Sequence, residues 1–514
     1  MTYKGLTDTF VFGNMAVSAA VEYSGRLQIN SFLQIPFSIG ESANLRSTRL
    51  VVVLLPVFLN EITGIPLGIW QFFALIGILL PLTGYVFARR LLGSEVGGLM
   101  FGAFVALESD NLYLTYNLNI VGYGYLFYIL MMWSTLLWTR VRSGRGYYLL
   151  SVLFFAMALM SYYVAEFYAL TFLIVVWFLV AISRRRDGIS DSLLRASAIA
   201  ITMVLLFEPL VTDYVAIVVR GQFRNIFGTT ANYVSDVIKL ALTSSTPVYI
   251  KAPRYIFPLN ILAYLLVVAP IAYFFYQQRH AILTLRVDRT TAIFIAIFAT
   301  GAINALLYMG WGGFLDTKYF LFGYPIITIG AVLRWRRTWH RQNVRNLYVL
   351  LLLVVLFLRL SLFVTGPWSE SYLSRTLTSQ NDFTWISDHT RPVDSLTYPP
   401  LILLGDTEVE GRALFAYAAA GHSSNVVVFS YRGLNESSYI YTGTGASEQL
   451  LESVYSARGA HVSYIVIFVN NLNEPIYGDN WITLPPLSNS GLFNGTGTNI
   501  VYSGYRIILF KIPD

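Results

Sequence analysis

One pattern limits what this chain can fold into: long apolar runs alternate with loops, and every second loop is basic. A helix needs roughly 20 mostly apolar residues to cross a bilayer. Runs that meet or approach this length cover 66–88, 91–107, 121–139, 147–163, 165–183, 194–212, 256–276, 290–309, 318–334 and 346–364. Arg89 and Arg90 lie between the first two runs, Arg140, Arg142 and Arg145 follow the third, and Arg184, Arg185 and Arg186 follow the fifth. Arg279, His280, Arg286 and Arg289 follow the seventh, and Arg334, Arg336, Arg337, Arg341 and Arg345 follow the ninth. The loops 108–120 and 161–166 hold no Lys or Arg. Lys- and Arg-rich loops stay on the cytoplasmic side during insertion. The pattern therefore predicts an α-helical polytopic membrane protein that starts outside, crosses about ten times and ends outside. The run 50–59 contains Pro56 and is too short to span, so an interfacial or re-entrant piece is expected there.

Composition agrees. Only 12% of the 514 residues are charged and 55% are hydrophobic, against about 25% charged in soluble domains. The net charge of +7 is accounted for by membrane topology, with no nucleic-acid partner expected. The absence of Cys rules out disulfides and thiolate metal sites. The 35 Tyr and 35 Phe are expected mainly on lipid-facing surfaces and in interfacial belts. A sugar platform at Tyr123, Tyr125 and Tyr128 does not follow from sequence alone.

Three regions result: an external loop with an acidic motif at 1–46, a polytopic membrane domain at 47–365, and a small extracytoplasmic α/β domain at 366–514. Residues Met1 to Arg46 lack the basic and apolar segments of a cleavable signal. Their external placement leads us to expect a first transmembrane helix upstream of Met1. In the C-terminal region, Leu401–Leu404, Asn425–Phe429 and Tyr464–Val469 read as short buried strands, and Ile500 to Ile512 as a closing hairpin. Ser447 is placed to cap a helix that Gly459 ends. The sequons at Asn435 and Asn494 fit an outside location as glycosylation acceptors. A second external segment, about 213–255, is longer than a loop without function usually is.

Acidic clusters mark the outer rim. Asp8 sits at the start of the chain and is either a helix N-cap, with Phe12, Met15, Ala16 and Ala19 at helical spacing after it, or a general base. A carboxylate at a hydrophobic rim has its pKa raised by desolvation and accepts a proton more readily. Glu108 and Asp110 bracket Ser109 in a short external loop. They are either a polar helix end or a pair of ligands for a hard cation such as Mg²⁺ or Mn²⁺. Lys318, Arg359, Arg224 and Arg254 approach the same level and suit a lipid phosphate. Glu166 and Glu208 lie near outer helix ends, and the residues alone leave a structural role and a cavity-lining role both open.

These stretches resemble the GT-C superfamily of polytopic membrane glycosyltransferases, in particular the prokaryotic branch related to dolichyl-phosphate-mannose-protein mannosyltransferases. Thr7-Asp8-Thr9-Phe10-Val11-Phe12-Gly13-Asn14-Met15-Ala16, followed by Tyr23-Ser24-Gly25-Arg26, is similar to that family's first external loop. Ile62-Thr63-Gly64-Ile65-Pro66 and Phe87-Ala88-Arg89-Arg90-Leu91-Leu92-Gly93 are similar to its second helix and cytoplasmic turn. Glu108-Ser109-Asp110 stands where the family has its second acidic motif, and Lys318-Tyr319-Phe320 with Tyr324-Pro325 resembles the start of a late helix. Trp385-Ile386 before Thr390-Arg391-Pro392 also fits. The resemblance implies a sugar donor linked to a polyprenyl (dolichyl-type) phosphate, bound at the outer face. It also implies a protein, lipid or glycan acceptor, with Asp8 as the catalytic acidic residue and Glu108 and Asp110 as the second motif. That motif binds metal in some members and not in others. Two departures stand out: the helix that normally precedes the first loop is absent, and Asp382-Phe383-Thr384-Trp385 does not match the Trp-Trp-Asp signature of oligosaccharyltransferases. The second departure implies transfer of a single sugar.

A transporter or lipid flippase is the alternative. It would place ionisable residues or broken helices near mid-bilayer, whereas the acids here gather at the outer ends of spans. A membrane-anchored surface protein whose external domain is the working part is the third reading.

Overall fold

The computed structural model describes residues 50–65, 75–107, 120–138, 145–161, 163–182, 256–284, 288–309, 323–335, 342–365, 380–390, 401–405, 416, 426–430, 463–468, 476–477, 483–484, 499–503 and 507–511. Most of these are helical. The helices are α1 (Leu50–Thr63), α2 (Leu75–Leu92), α3 (Glu95–Leu107), α4 (Ile120–Trp138), α5 (Arg145–Leu159) and α6 (Tyr163–Ile182). They continue with α7 (Ile256–Leu283), α8 (Arg289–Met309), α9 (Tyr324–Trp335), α10 (Gln342–Thr365) and α11 (Gln380–His389). Nine of the ten apolar runs overlap helices α2 to α10, and the run 194–212 lies outside the described residues. Among the described stretches, Leu75–Leu92 has both the length and the hydropathy of a span, and the other apolar stretches, such as Glu95–Leu107, are shorter.

Helix ends run past the apolar runs. The first run stops at 88, yet α2 continues through Arg89 and Arg90 to Leu92, and α7 extends beyond 276 to Leu283. Hydropathy marks the edge of the hydrocarbon, while helical hydrogen bonds persist into the polar layer, where cations also oppose the negative end of the helix dipole. The α2–α3 turn is built for a sharp stop. Gly93 takes φ +64°, a conformation that favours Gly just past a helix end. Ser94 Oγ then caps α3 by accepting the Gly97 N–H at 3.2 Å.

Lipid gives apolar helices little reason to associate, so close packing and interhelical hydrogen bonds must hold the bundle. Gly98 and Gly102 of α3 lie against α2. A Cβ on Gly98 would stand 2.8 Å from Arg89 Cβ and 2.9 Å from the Tyr85 carbonyl oxygen. Buried hydroxyls join other pairs: Thr135 Oγ1 of α4 meets Ser151 Oγ of α5 at 2.7 Å.

Pro270 inside α7 has no N–H to offer the Leu266 carbonyl one turn earlier. The Tyr348 hydroxyl of α10 donates to that carbonyl instead. Thr328 Oγ1 of α9 donates to the adjacent Val267 carbonyl at 2.9 Å. Side chains on two neighbouring helices thus answer the backbone disturbed by one proline.

The aromatic residues depart from expectation. The largest fully buried side chains are Tyr125, Tyr168, Phe87, Phe101, Phe172, Phe274 and Phe294. Interhelical gaps take the bulkiest side chains available, while Ile78, Leu82, Leu99, Leu153, Phe178 and Phe357 are exposed on the outside of the bundle. Outward apolar surface of this kind suits a bilayer.

The strands are β1 (Leu401–Gly405), β2 (Val426–Ser430), β3 (Tyr464–Phe468), β4 (Ile476–Tyr477), β5 (Thr483–Leu484), β6 (Asn499–Ser503) and β7 (Ile507–Lys511). Five of them form a sheet in the order β2-β1-β3-β7-β6, and β4 pairs with β5. β1 is parallel to β2 and β3, with Leu401 opposite Val426. β7 is antiparallel to β3 and β6, with a register shift between Ile500 and Tyr502. β1, β2, β3, β6 and β7 fall in the stretches read as strands or as a closing hairpin, whereas β4 and β5 were not anticipated. The helix expected between Ser447 and Gly459 lies outside the described residues. α11 was not anticipated because it is short and polar, yet it buries Phe383 and Ile386.

Candidate functional site

Asp8, Glu108, Asp110, Lys318, Arg224, Arg254, Asn435, Asn494 and Glu208 lie outside the described residues. Arg359 falls within α10, and Glu166 within the first turn of α6. What can be built is the helical frame from which most of these residues depart. Leu107, the last residue of α3, directly precedes Glu108 in the chain. α9 begins at Tyr324, shortly after Lys318, and α7 begins at Ile256, just after Arg254.

These four helices form one packed group: α3 contacts α9 and α10, and α7 contacts the same two. Specific bonds fix their relative positions. Tyr324, the first residue of α9, is buried, its ring stacks on Phe298 of α8 at 5.6 Å, and its hydroxyl donates to the Phe298 carbonyl at 3.3 Å. Thr328, one turn on, ties α9 to α7, and Tyr348 ties α10 to the same stretch of α7. Gly330 admits Phe294 of α8 so closely that a Cβ there would lie 2.5 Å from the ring. The start of α9 is thus held by a hydrogen-bonded, interdigitated core with little room to shift.

The tyrosines of α4 are not a sugar platform. Tyr123, Tyr125 and Tyr128 are all buried, and Tyr125 stacks on Tyr168 of α6 with ring centroids 6.0 Å apart. Tyr128 meets Phe172 edge-on at 6.2 Å. Among the described residues, no group of three His, Asp or Glu side chains is placed to hold a metal ion.

No family model matches the chain, and no curated protein does. Solved structures do share its fold. The archaeal oligosaccharyltransferase AglB from Archaeoglobus fulgidus, in complex with an inhibitory peptide and a dolichol-phosphate, aligns with a TM-score of 0.54 at 11% identity over 90% of this chain and 65% of its own. The apo form of the Archaeoglobus fulgidus oligosaccharyltransferase gives 0.53 at 11% identity, covering 89% of this chain and 66% of its own. The form tethered through a disulfide to an acceptor peptide with an NVT sequon gives 0.51 at 10% identity, covering 89% and 65%. This chain therefore spans about two thirds of the length of the enzymes it matches. At such low identity the likeness establishes the fold.

Proposed function

From a chain with the GT-C fold of membrane glycosyltransferases, we propose an enzyme that transfers a sugar from a polyprenyl (dolichyl-type) phosphate to an acceptor hydroxyl at the outer membrane face. The observation that carries this reading is the fold shared with an oligosaccharyltransferase that binds a dolichol-phosphate. The frame of α3, α7, α9 and α10 supports it, since the chain leaves these helices next to Glu108, Arg254 and Lys318, and Arg359 lies on α10 itself.

In the proposed reaction the acceptor hydroxyl gives its proton to Asp8 as its oxygen bonds to the anomeric carbon. The bond from that carbon to the lipid phosphate breaks, and polyprenyl phosphate leaves with the electron pair. Developing charge on the leaving phosphate is the main barrier, and fixed cations aimed at it are worth most in a site that excludes water. Lys318, Arg359, Arg224 and Arg254 are the proposed partners for that charge. Glu108 and Asp110 are the residues that would hold a Mg²⁺ or Mn²⁺ ion, which would supply further charge stabilisation. The reading includes about ten spans, basic loops inside, and the five-stranded sheet in an extracytoplasmic domain. A protein, lipid or glycan is the acceptor.

The test is direct. Purified full-length chain is given a polyprenyl-phosphate-linked hexose and a membrane extract as acceptor, and release of polyprenyl phosphate is followed. Turnover is expected with this donor. Substrate movement across vesicles without bond cleavage would favour the transporter reading instead.

A further inference from the structure

At the C-terminal end of α2, a cavity of about 590 Å³ is lined by Val86, Arg89, Arg90, Ser94, Glu95, Trp133 and Leu137. Its charges are unevenly committed. Arg89 Nη2 lies 2.6 Å from Glu95 Oε1, and its Nη1 donates to the Tyr85 hydroxyl at 3.3 Å. That pairing cancels one positive charge. Arg90, exposed beside it, has no hydrogen bond or ion pair among the described residues. Ser94 Oγ accepts from Gly97 N–H, which leaves its own proton to donate.

The wall of this cavity continues down α2. Ile78, Leu82, Val86 and Arg90 recur every four residues and so form one continuous ridge inclined to the helix axis. Ile78 is 69% and Leu82 54% exposed. At about 1.5 Å per residue the stripe from Ile78 to Arg90 rises about 18 Å. One leaflet contributes about 15 Å of hydrocarbon. The apolar part, Ile78 to Val86, covers about 12 Å of that rise, most of one leaflet's depth, and leaves the Arg90 guanidinium at the polar end of the ridge.

We propose that this cavity and stripe bind an anionic phospholipid of the inner leaflet, its phosphate held by Arg90 and Ser94 and its acyl chain laid along Val86, Leu82 and Ile78. The inner-leaflet assignment rests on the reading that the basic loops face the cytoplasm. A soluble phosphate would satisfy Arg90 but leave the apolar wall of Val86, Trp133 and Leu137 unused.

Delipidated full-length chain in detergent is titrated with phosphatidylglycerol, phosphatidylcholine, and glycerol 3-phosphate or inorganic phosphate, and bound lipid is counted by native mass spectrometry. Phosphatidylglycerol is expected to bind more tightly than phosphatidylcholine. Arg90→Ala should weaken its binding about tenfold or more, the loss expected for one charge-assisted hydrogen-bonding group. Arg90→Lys, which keeps the charge but loses the fork, should fall between the two; it carries the test if Arg90→Ala does not fold. Equal binding of the two lipids, an unchanged affinity in both Arg90 variants, or displacement of lipid by soluble phosphate would each overturn the proposal. Binding is read without any sugar transfer, so this site and the proposed enzyme can fail independently.

Discussion

Replacing Tyr348 with Phe removes one hydroxyl and tests how α7 tolerates Pro270. In an uninterrupted helix the N–H of residue 270 would satisfy the Leu266 carbonyl; Pro has none, and Tyr348 supplies the donor from α10. Leu266 is buried, so no water replaces the lost bond. Hydrogen bonds between membrane helices are worth about 0.6 kcal/mol on average and up to about 1.7. A stranded buried carbonyl carries a penalty of about 1–3 kcal/mol. Tyr348→Phe should therefore cost about 1–2 kcal/mol, measured by equilibrium unfolding in mixed micelles. The decisive arm is the double mutant. Pro270→Ala restores an N–H within α7, so Tyr348→Phe in that background should cost about 1 kcal/mol less than it does alone. Additivity of the two changes within about 0.5 kcal/mol would show that Tyr348 is not compensating for the proline, and the account of α7 would be wrong.

Gly98→Ala places a Cβ against Arg89 Cβ and the Tyr85 backbone and should destabilise by about 1–3 kcal/mol in the same assay. Gly146→Ala, where nothing lies within 4 Å, should be close to neutral; equal effects would refute the close approach of α2 and α3. The chain has no Cys, so a single Gly146→Cys, exposed beside the basic residues Arg140 to Arg145 with nothing within 4 Å, is a clean probe of sidedness. A membrane-impermeant maleimide should label it only after the cells are opened, and labelling of intact cells would reverse the topology and overturn the inner-leaflet assignment.

The helices were legible because a hydrocarbon solvent leaves a long apolar run few alternatives to a helix. Their ends were less so, since Arg89 and Arg90 end an apolar run without ending the helix. The burial of Tyr123, Tyr125 and Tyr128 could not be read, because in a bundle surrounded by lipid the inward and outward faces are both apolar. α2 shows this directly: its buried Leu80 and its exposed Leu82 are the same residue type. The pairing of Tyr348 with Leu266 was equally hidden, since nothing local in sequence links positions so far apart. Arg90 reads in the sequence as a topology signal, and its i, i+4 ridge with Ile78, Leu82 and Val86 is the sequence feature that bears on the proposed lipid site. For the transfer site, the motifs at Asp8, Glu108 and Asp110 remain readings of sequence, and the helices beside Glu108, Arg254 and Lys318, with α10 carrying Arg359, supply their frame.

The central claim is that this chain moves a sugar with Asp8 as the base. Transfer of labelled hexose from polyprenyl phosphate, measured for full-length wild type and Asp8→Asn purified side by side with matching unfolding curves, tests it most directly. The account predicts turnover by the wild type and a loss of about 10²-fold or more in the variant, the usual contribution of a positioned general base. Equal turnover by both proteins would remove Asp8 from the reaction, and no release of polyprenyl phosphate by the wild type from such a donor would contradict the proposed chemistry itself.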